Sequence, residues 1–198
     1  MIADKTIREF IDELKSEAPT PGGGGVAALN AANGTALIMM VANLSITVSK
    51  HPEWAEPCQK AIEEADKLLE FFLAGADADA EEFSKVITAY SLPQGEERTD
   101  AIARASISAA RAPLNIMENC VRALEIDSSM FGRSNPNLES DLYVAAVTLQ
   151  SGLISAKFNV DANIPAIAKI DETCAKELAA KAEQLLEESS EICKEIFK

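Results

Sequence analysis

The sequence predicts an all-α protein, a single multi-helical bundle over residues 1–198 with about six helices, some kinked or interrupted. Three observations carry that expectation. Apolar residues recur at steps of three and four through most of the chain, the period of a helix with one buried face. No segment alternates apolar and polar residues as a half-buried strand does. One stretch, Ala18 to Ser49, carries no charge in a chain of which 25% is charged, so it reads as the buried element around which the others pack.

The first helix opens at a capping box, Thr6-Ile7-Arg8-Glu9, in which hydroxyl and carboxylate satisfy each other's backbone donors. Ile7, Phe10, Ile11 and Leu14 then give it an apolar face. Pro19 and Pro21 interrupt the chain, because proline fixes φ and moves the preceding residue out of the helical region. Gly22, Gly23, Gly24 and Gly25 are expected to form a flexible loop, with the central helix running from Val26. Such a loop serves close packing of two elements, or an anion held on free N–H groups at the positive end of the helix dipole. The run lacks the GK[ST] of a phosphate-binding loop. The uncharged length suffices for a membrane span, but Asn30, Asn33 and Asn43 and the absence of flanking basic clusters favour a buried core helix. Asn30 and Asn33 share a face, and buried amides need partners.

Lys50-His51-Pro52 breaks the chain, and a long third helix is expected from near Glu53. Its inward positions run Ile62, Ala65, Leu69, Phe72, Ala76, then Phe83, Val86 and Tyr90. The step between Ala76 and Phe83 falls on Asp79, a carboxylate in an apolar seam. An unpaired acid there is costly, so Asp79 is either neutralised by a cation from another helix or functional. Asp77, Glu81 and Glu82 lie off the seam, where water reaches them. Ser91 to Gly95 ends this helix. A fourth spans about Thr99 to Ser128, with Pro113 expected to kink or divide it, and with Arg104 and Arg111 on its surface. Asn135-Pro136 starts the fifth, which carries a greasy stripe (Leu138, Leu142, Leu149, Leu153) and a small polar one (Asp141, Ala145, Thr148, Gly152, Ser155, Asn159). The second stripe permits close helix contact or forms a pocket wall. Asn159 to Pro165 is expected to leave the helix, and Asp171 to Lys198 forms a last amphipathic one.

Composition narrows the function. A net charge of −14 opposes binding to nucleic acid or to anionic membranes. Four cysteines (Cys58, Cys120, Cys174, Cys193) without a CxxC pair, and the single histidine His51, leave no zinc or di-iron ligand set, so no metal is expected. With charge from Asp4 onward the N-terminus does not read as a signal peptide, and a reduced, cytoplasmic protein is expected.

The motifs, taken together, resemble a known family. Pro19-Thr20-Pro21-Gly22-Gly23-Gly24, Val41-Ala42-Asn43, Asp77-Ala78-Asp79-Ala80-Glu81-Glu82-Phe83, Leu92-Pro93, Pro113-Leu114, Asn135, Ser140-Asp141 with Ala145, and Asn159-Val160 with Asn163 occur in order. This combination resembles the cyclodeaminase/cyclohydrolase family of one-carbon folate metabolism. The family includes the C-terminal domain of formimidoyltransferase-cyclodeaminase and stand-alone methenyltetrahydrofolate cyclohydrolases. Two positions depart from it: Ser45 to Ser49 precede Lys50 where basic or glycine residues often follow the Val-Ala-Asn segment, and Ser134 stands where glycine is usual.

The resemblance implies a helical bundle forming homodimers or larger rings with the site near subunit contacts. It implies a tetrahydrofolate derivative as substrate and no further cofactor. Two reactions follow from it: opening of 5,10-methenyltetrahydrofolate to 10-formyltetrahydrofolate, or closure of 5-formiminotetrahydrofolate with loss of ammonia. Both pass a delocalised cation, which a fixed carboxylate stabilises. Asp79 is the expected base or cation stabiliser, and Asp141 binds the pterin or orients a donor. Asn30, Asn33, Asn159 and Asn163 are candidates for the pterin amides, with the matched Asn43, Asn135 and Ser140 completing the set. The Gly22–Gly25 run is the candidate holder of glutamate carboxylates, with Lys50, Arg104, Arg111 or Lys157 as its cation. A sister enzyme on another cyclised one-carbon substrate, and a non-catalytic helical dimerisation module, are the alternatives.

Overall fold

A computed structural model of the chain describes residues 2–48 and 50–198, with Val48 described by its backbone alone. Ser49, the last residue of the uncharged stretch, lies outside the described residues. Six α-helices follow one another: α1 (Ile7–Leu14), α2 (Gly23–Val48), α3 (Ala55–Tyr90), α4 (Glu96–Met130), α5 (Glu139–Ile167) and α6 (Glu172–Ile196). Single 3₁₀ turns at Ile2–Asp4, Pro52–Trp54 and Pro136–Leu138 punctuate them, and no strand occurs among the described residues. α2 packs against α3 and α5, while α4 closes the bundle against α3, α5 and α6. By length and composition alone Gly23–Thr47 could cross a membrane, yet more than half of its apolar window is buried. It is the central core helix.

The absence of side chains sets how closely these helices approach. A Cβ on Gly34 of α2 would lie 2.7 Å from Leu149 Cγ and 2.9 Å from the Ala145 carbonyl. One on Gly152 of α5 would lie 2.9 Å from the Ala27 carbonyl. The small stripe of α5 is therefore a packing surface against α2 at Ala145 and Gly152. Phe72, Ile38, Met117, Leu142, Leu149 and Leu153 fill the space around it.

Five sequence expectations change. Helix α2 begins at Gly23, so Gly23, Gly24 and Gly25 are its first turn and only Gly22 precedes it. Pro113 lies buried inside α4 and does not divide it, since the helix runs on from Glu96 to Met130. Helix α5 does not end at Asn159. Asn159 and Asn163 donate their amides to the Ser155 and Asn159 carbonyls, each at 2.9 Å, and Lys157 pairs with Asp161 at 2.8 Å, all one turn apart. These bonds hold a segment rich in turn-formers as helix up to Ile167, past Pro165. The capping box of α1 is present, but its apolar face is only partly covered: Phe10 packs against the core while Ile7 is 85% exposed. Asp77 and Glu82 are only partly solvated: Asp77 Oδ1 accepts the Ile2 N–H at 2.9 Å, Lys85 Nζ donates to Glu82 Oε1 at 2.5 Å, and each acid keeps one buried, unpartnered oxygen.

One buried acid was not foreseen. Asp127 on α4 is 0% exposed, and neither carboxyl oxygen has a hydrogen-bond partner. Burial pushes its pKa up to about 8, and Cys193 beside it is pushed up to about 11, by burial first and then by the Asp127 charge. The folded state thus holds a proton that the unfolded chain releases at ordinary carboxylate pH. Stability should fall as pH rises between those two values, by at most about 1.4 kcal/mol per pH unit, and level off above about pH 8. Asp127→Asn cannot ionise, so its advantage in thermal midpoint over the wild type should grow between about pH 5 and pH 8. Parallel melting curves across that range would show that Asp127 titrates as an ordinary acid.

Candidate active site

Near the start of α2 and the second half of α3, a cavity of about 390 Å3 is lined by Pro19, Thr20, Gly22, Gly23, Asp79, Phe83, Val86, Tyr90, Ser106, Ala109, Asn159, Ala162, Asn163 and Ala166. That volume lies within the range of small-ligand pockets. Four helices build it. α2 contributes its N-terminal turn. Val26 is the first residue whose N–H bonds back, to Gly22 O at 3.1 Å, leaving Gly23, Gly24 and Gly25 N–H groups with no acceptor within the helix. α3 contributes Asp79, then Phe83, Val86 and Tyr90. The apolar seam thus leaves the core beyond Asp79 and becomes a cavity wall, with Phe83 40% exposed. α5 contributes Asn159 and Asn163, one turn apart. Each has an amide N–H engaged by the backbone and its Oδ1 available as an acceptor.

Asp79 meets α2 at Gly24. A Cβ on Gly24 would stand 2.0 Å from Asp79 Oδ1 and 2.1 Å from Cγ, so the carboxylate occupies the place of the missing side chain. The helix N-terminus favours the charged carboxylate, and burial disfavours it. Burial prevails: the Asp79 pKa is raised, with no hydrogen bond among the described residues to offset it. The two alternatives left open for Asp79 are thereby separated at one point, since no Lys or Arg of this chain pairs with it among the described residues.

Of the residues selected from sequence, Gly22, Gly23, Asp79, Asn159 and Asn163 line this cavity, with Gly24 in direct contact with Asp79. Gly25 packs instead against Pro21 and Ala76. The others are placed elsewhere. Asn30 donates to Ser151 Oγ at 3.4 Å, Asn33 is exposed, and Asn43 donates to its own helix at Met39 O, 2.8 Å. Asn135 caps the Pro136–Leu138 turn, and its N–H donates to Ser45 Oγ at 2.8 Å. Lys50 and Ser140 are exposed, and Asp141 is half-buried at the start of α5. Asp141 is separated from Asn159 by about 27 Å of helix, so within one chain it does not reach the cavity. No basic residue lines the cavity. Arg104 and Arg111 are exposed, and Lys157 is held by Asp161 at 2.8 Å and Glu183 at 3.2 Å. A larger groove of about 780 Å3 lies between α3 and α4, with Lys60, Lys67, Arg122 and Arg133 on its walls, but contains none of the motif residues. The sequence reading missed Ser106, which lies one turn before the buried Ala110 on α4. No group of three or more His, Cys, Asp or Glu side chains is placed to hold a metal among the described residues.

A family model described as formiminotransferase-cyclodeaminase matches residues 6–184. The chain belongs to that family. Among its relatives is a protein named methenyltetrahydrofolate cyclohydrolase from Methylorubrum extorquens, 33% identical over 202 residues that span 100% of this chain and 96% of that protein. Formimidoyltransferase-cyclodeaminase of Rattus norvegicus is 29% identical over 168 residues, covering 82% of this chain but 31% of that longer protein. The structure superposes on a formiminotetrahydrofolate cyclodeaminase from Thermotoga maritima with a TM-score of 0.91, over 99% of this chain and 96% of that one. At 24% identity that likeness establishes the shared all-α fold.

The contact between Gly24 and Asp79 is directly testable. Alanine suits a helix better than glycine, and the group in its way is the mobile end of a side chain, so Gly24→Ala should fold. Its methyl should push the carboxylate outward into water. Because burial raises the Asp79 pKa, a carbon-detected NMR titration should then report that pKa moving back down. An unchanged titration would mean that the carboxylate does not lean on Gly24.

Proposed function

We propose that the chain is a one-carbon folate enzyme that opens 5,10-methenyltetrahydrofolate to 10-formyltetrahydrofolate. The observation that carries this reading is the Asp79 carboxyl, sequestered in a cavity at the α2 N-terminus with its pKa raised by burial. A base must be partly ionised near the working pH and still attract a proton, which a raised carboxylate pKa provides. The bridging carbon of the substrate is cationic, so a fixed carboxylate in the cavity also draws that carbon to the base that serves it. Phe83, Val86 and Tyr90 offer an apolar wall to a flat ring, and the Asn159 and Asn163 oxygens offer acceptors for pterin N–H groups. Since Asp79 stands against the Gly23–Gly25 turn, that helix end favours the Asp79 charge through its dipole, and the substrate's glutamate carboxylates extend outward toward exposed cations.

The relative named a cyclohydrolase, 33% identical and matched over 96% of its length, favours ring opening over the second reading, ring closure with loss of ammonia. A cytoplasmic location forms part of the same proposal and rests on the four unpaired cysteines.

The active form, in this proposal, is a homodimer. Val144, Val147, Ile154 and Phe158 form an exposed apolar stripe along α5, and Phe158 is 70% exposed. The stripe is centred near Ser151. A twofold axis crossing the helix there sets Val144 against Phe158 of a second copy, covering both stripes in one isologous contact. The same operation brings the second copy's Ser140 and Asp141 opposite Asp161 and Ala162, beside the cavity. The motif residues stranded at the far end of α5 then complete the site of the other subunit.

Loss of the methenyl absorbance should be catalysed by the wild type and abolished by Asp79→Asn. Activity should fall as pH drops through an apparent pKa above the usual carboxylate range, because the base is lost on protonation. Full turnover in a well-folded Asp79→Asn would end the assignment of Asp79. No turnover with either the methenyl or the formimino substrate would favour the dimerisation module. Shared sites have a separate signature. Asp79→Asn and Asp141→Asn, each inactive alone, should on mixing and exchange recover about a quarter of wild-type activity, because half the dimers then hold one intact site. No recovery would place Asp141 outside the partner's site.

A further inference from the structure

Among the described residues five hydroxyls are buried, and four are already spent. Thr35 donates to Ala31 O at 2.8 Å, Ser45 to Val41 O at 2.7 Å, Ser134 to Met130 O at 2.9 Å and Ser189 to Leu186 O at 2.9 Å. This local bond to a carbonyl about one turn back is how a helix accommodates a buried serine or threonine. Ser106 on α4 is the exception. It is 2% exposed, has no hydrogen-bond partner among the described residues, and lines the cavity that holds Asp79. Its oxygen is not among the fully sealed unpartnered atoms, so the hydroxyl opens onto the cavity. Buried polar groups are almost always satisfied, which makes the missing partner something that enters the cavity.

The chemistry around it narrows what that is. Ala109, Ala162 and Ala166 offer only methyl groups, and the Asn159 and Asn163 side chains face the cavity with free acceptors. Asp79 supplies a carboxyl. A serine hydroxyl both donates and accepts, which suits a water molecule that must give one proton to a base while its oxygen lone pair points at carbon.

We propose that Ser106 orients the attacking water against Asp79 in the ring-opening reaction, an inference that rests on the function proposed above. The water oxygen forms a bond to the methenyl carbon as the C=N π pair withdraws onto nitrogen, and one water proton passes to the Asp79 carboxylate. The tetrahedral carbon then collapses. Its bond to N5 breaks, Asp79 returns the proton to N5, and the remaining hydroxyl proton leaves to solvent as the formyl C=O forms. Cation and water thus give neutral formyl product and one proton. Ring closure with loss of ammonia needs no incoming water, so Ser106 favours hydrolysis.

The test compares wild type, Ser106→Ala and Ser106→Thr on 5,10-methenyltetrahydrofolate, with melting temperatures measured alongside. Ser106→Ala should lose about 10- to 100-fold in kcat with KM changed less than about threefold, the size of effect expected from a misplaced reactant. Its acid limb should not move, because Asp79 is untouched, and Ser106→Thr should recover part of the rate by restoring a hydroxyl. Wild-type turnover with Ser106→Ala within about twofold in kcat, or with the whole loss in KM, would overturn the role of Ser106 and leave the proposed function standing. A wild type without turnover would overturn both.

Discussion

Everything at the site depends on one close approach, that of the first turn of α2 to α3 where Gly24 has no side chain and Asp79 fills the gap. A carboxylate is stable in an apolar seam only if something opposes the desolvation of its charge. Among the described residues the opposing feature is the positive end of a helix, which partly compensates and leaves the acid raised in pKa but present. The same economy of side chains recurs along α2, at Gly34 against Leu149 and at Gly152 against Ala27. The glycines therefore hold α2 against both of its neighbours, and the cavity is what remains where α2 begins and the packing stops.

This explains which parts were legible beforehand. The helices were read from their period, and Asp79 from its conflict with that period, since a charged residue in an apolar register is visible without coordinates. The glycine run was read as a loop because four glycines favour one locally. Tertiary contact overrode that preference, with α3 and α5 packed against what would otherwise be a flexible entry. Asn159 to Pro165 was misread for a related reason: asparagine and aspartate compete for the backbone, but here their side chains bond within the helix and continue it. Ser106 had no signal of its own. Ser106 and Ser108 both sit in an alanine-rich run, and only packing decides that the first lines the cavity.

The stripe on α5 was obscured by the helix's own composition. With leucines on one side, small residues on another and valines on the third, α5 is apolar nearly all round, and periodicity does not say which faces are covered by the same chain. The burial pattern separates them: Leu142, Leu149 and Leu153 are inside, Ala145 and Gly152 lie against α2, and Val144, Val147, Ile154 and Phe158 are left in the open. Asp141 was expected at the site from its motif and lies a helix-length away within one subunit. A motif read along a single chain does not distinguish residues that meet in that chain from residues that meet across a symmetry axis.

Electrostatics joins the parts. The chain carries a net charge of −14, and no cation lines its cavity, an arrangement unsuited to an anionic reacting centre. It suits a positive one. In the proposed reaction a methenyl bridge brings its own charge into the cavity, where burial strengthens its interaction with Asp79, and the charge is lost when water adds and the ring opens. The enzyme's attraction for the reacting group thus diminishes as the reaction proceeds, which favours release of the neutral product. A carboxylate left alone in the cavity gains most from a substrate that arrives as a cation and departs without the charge.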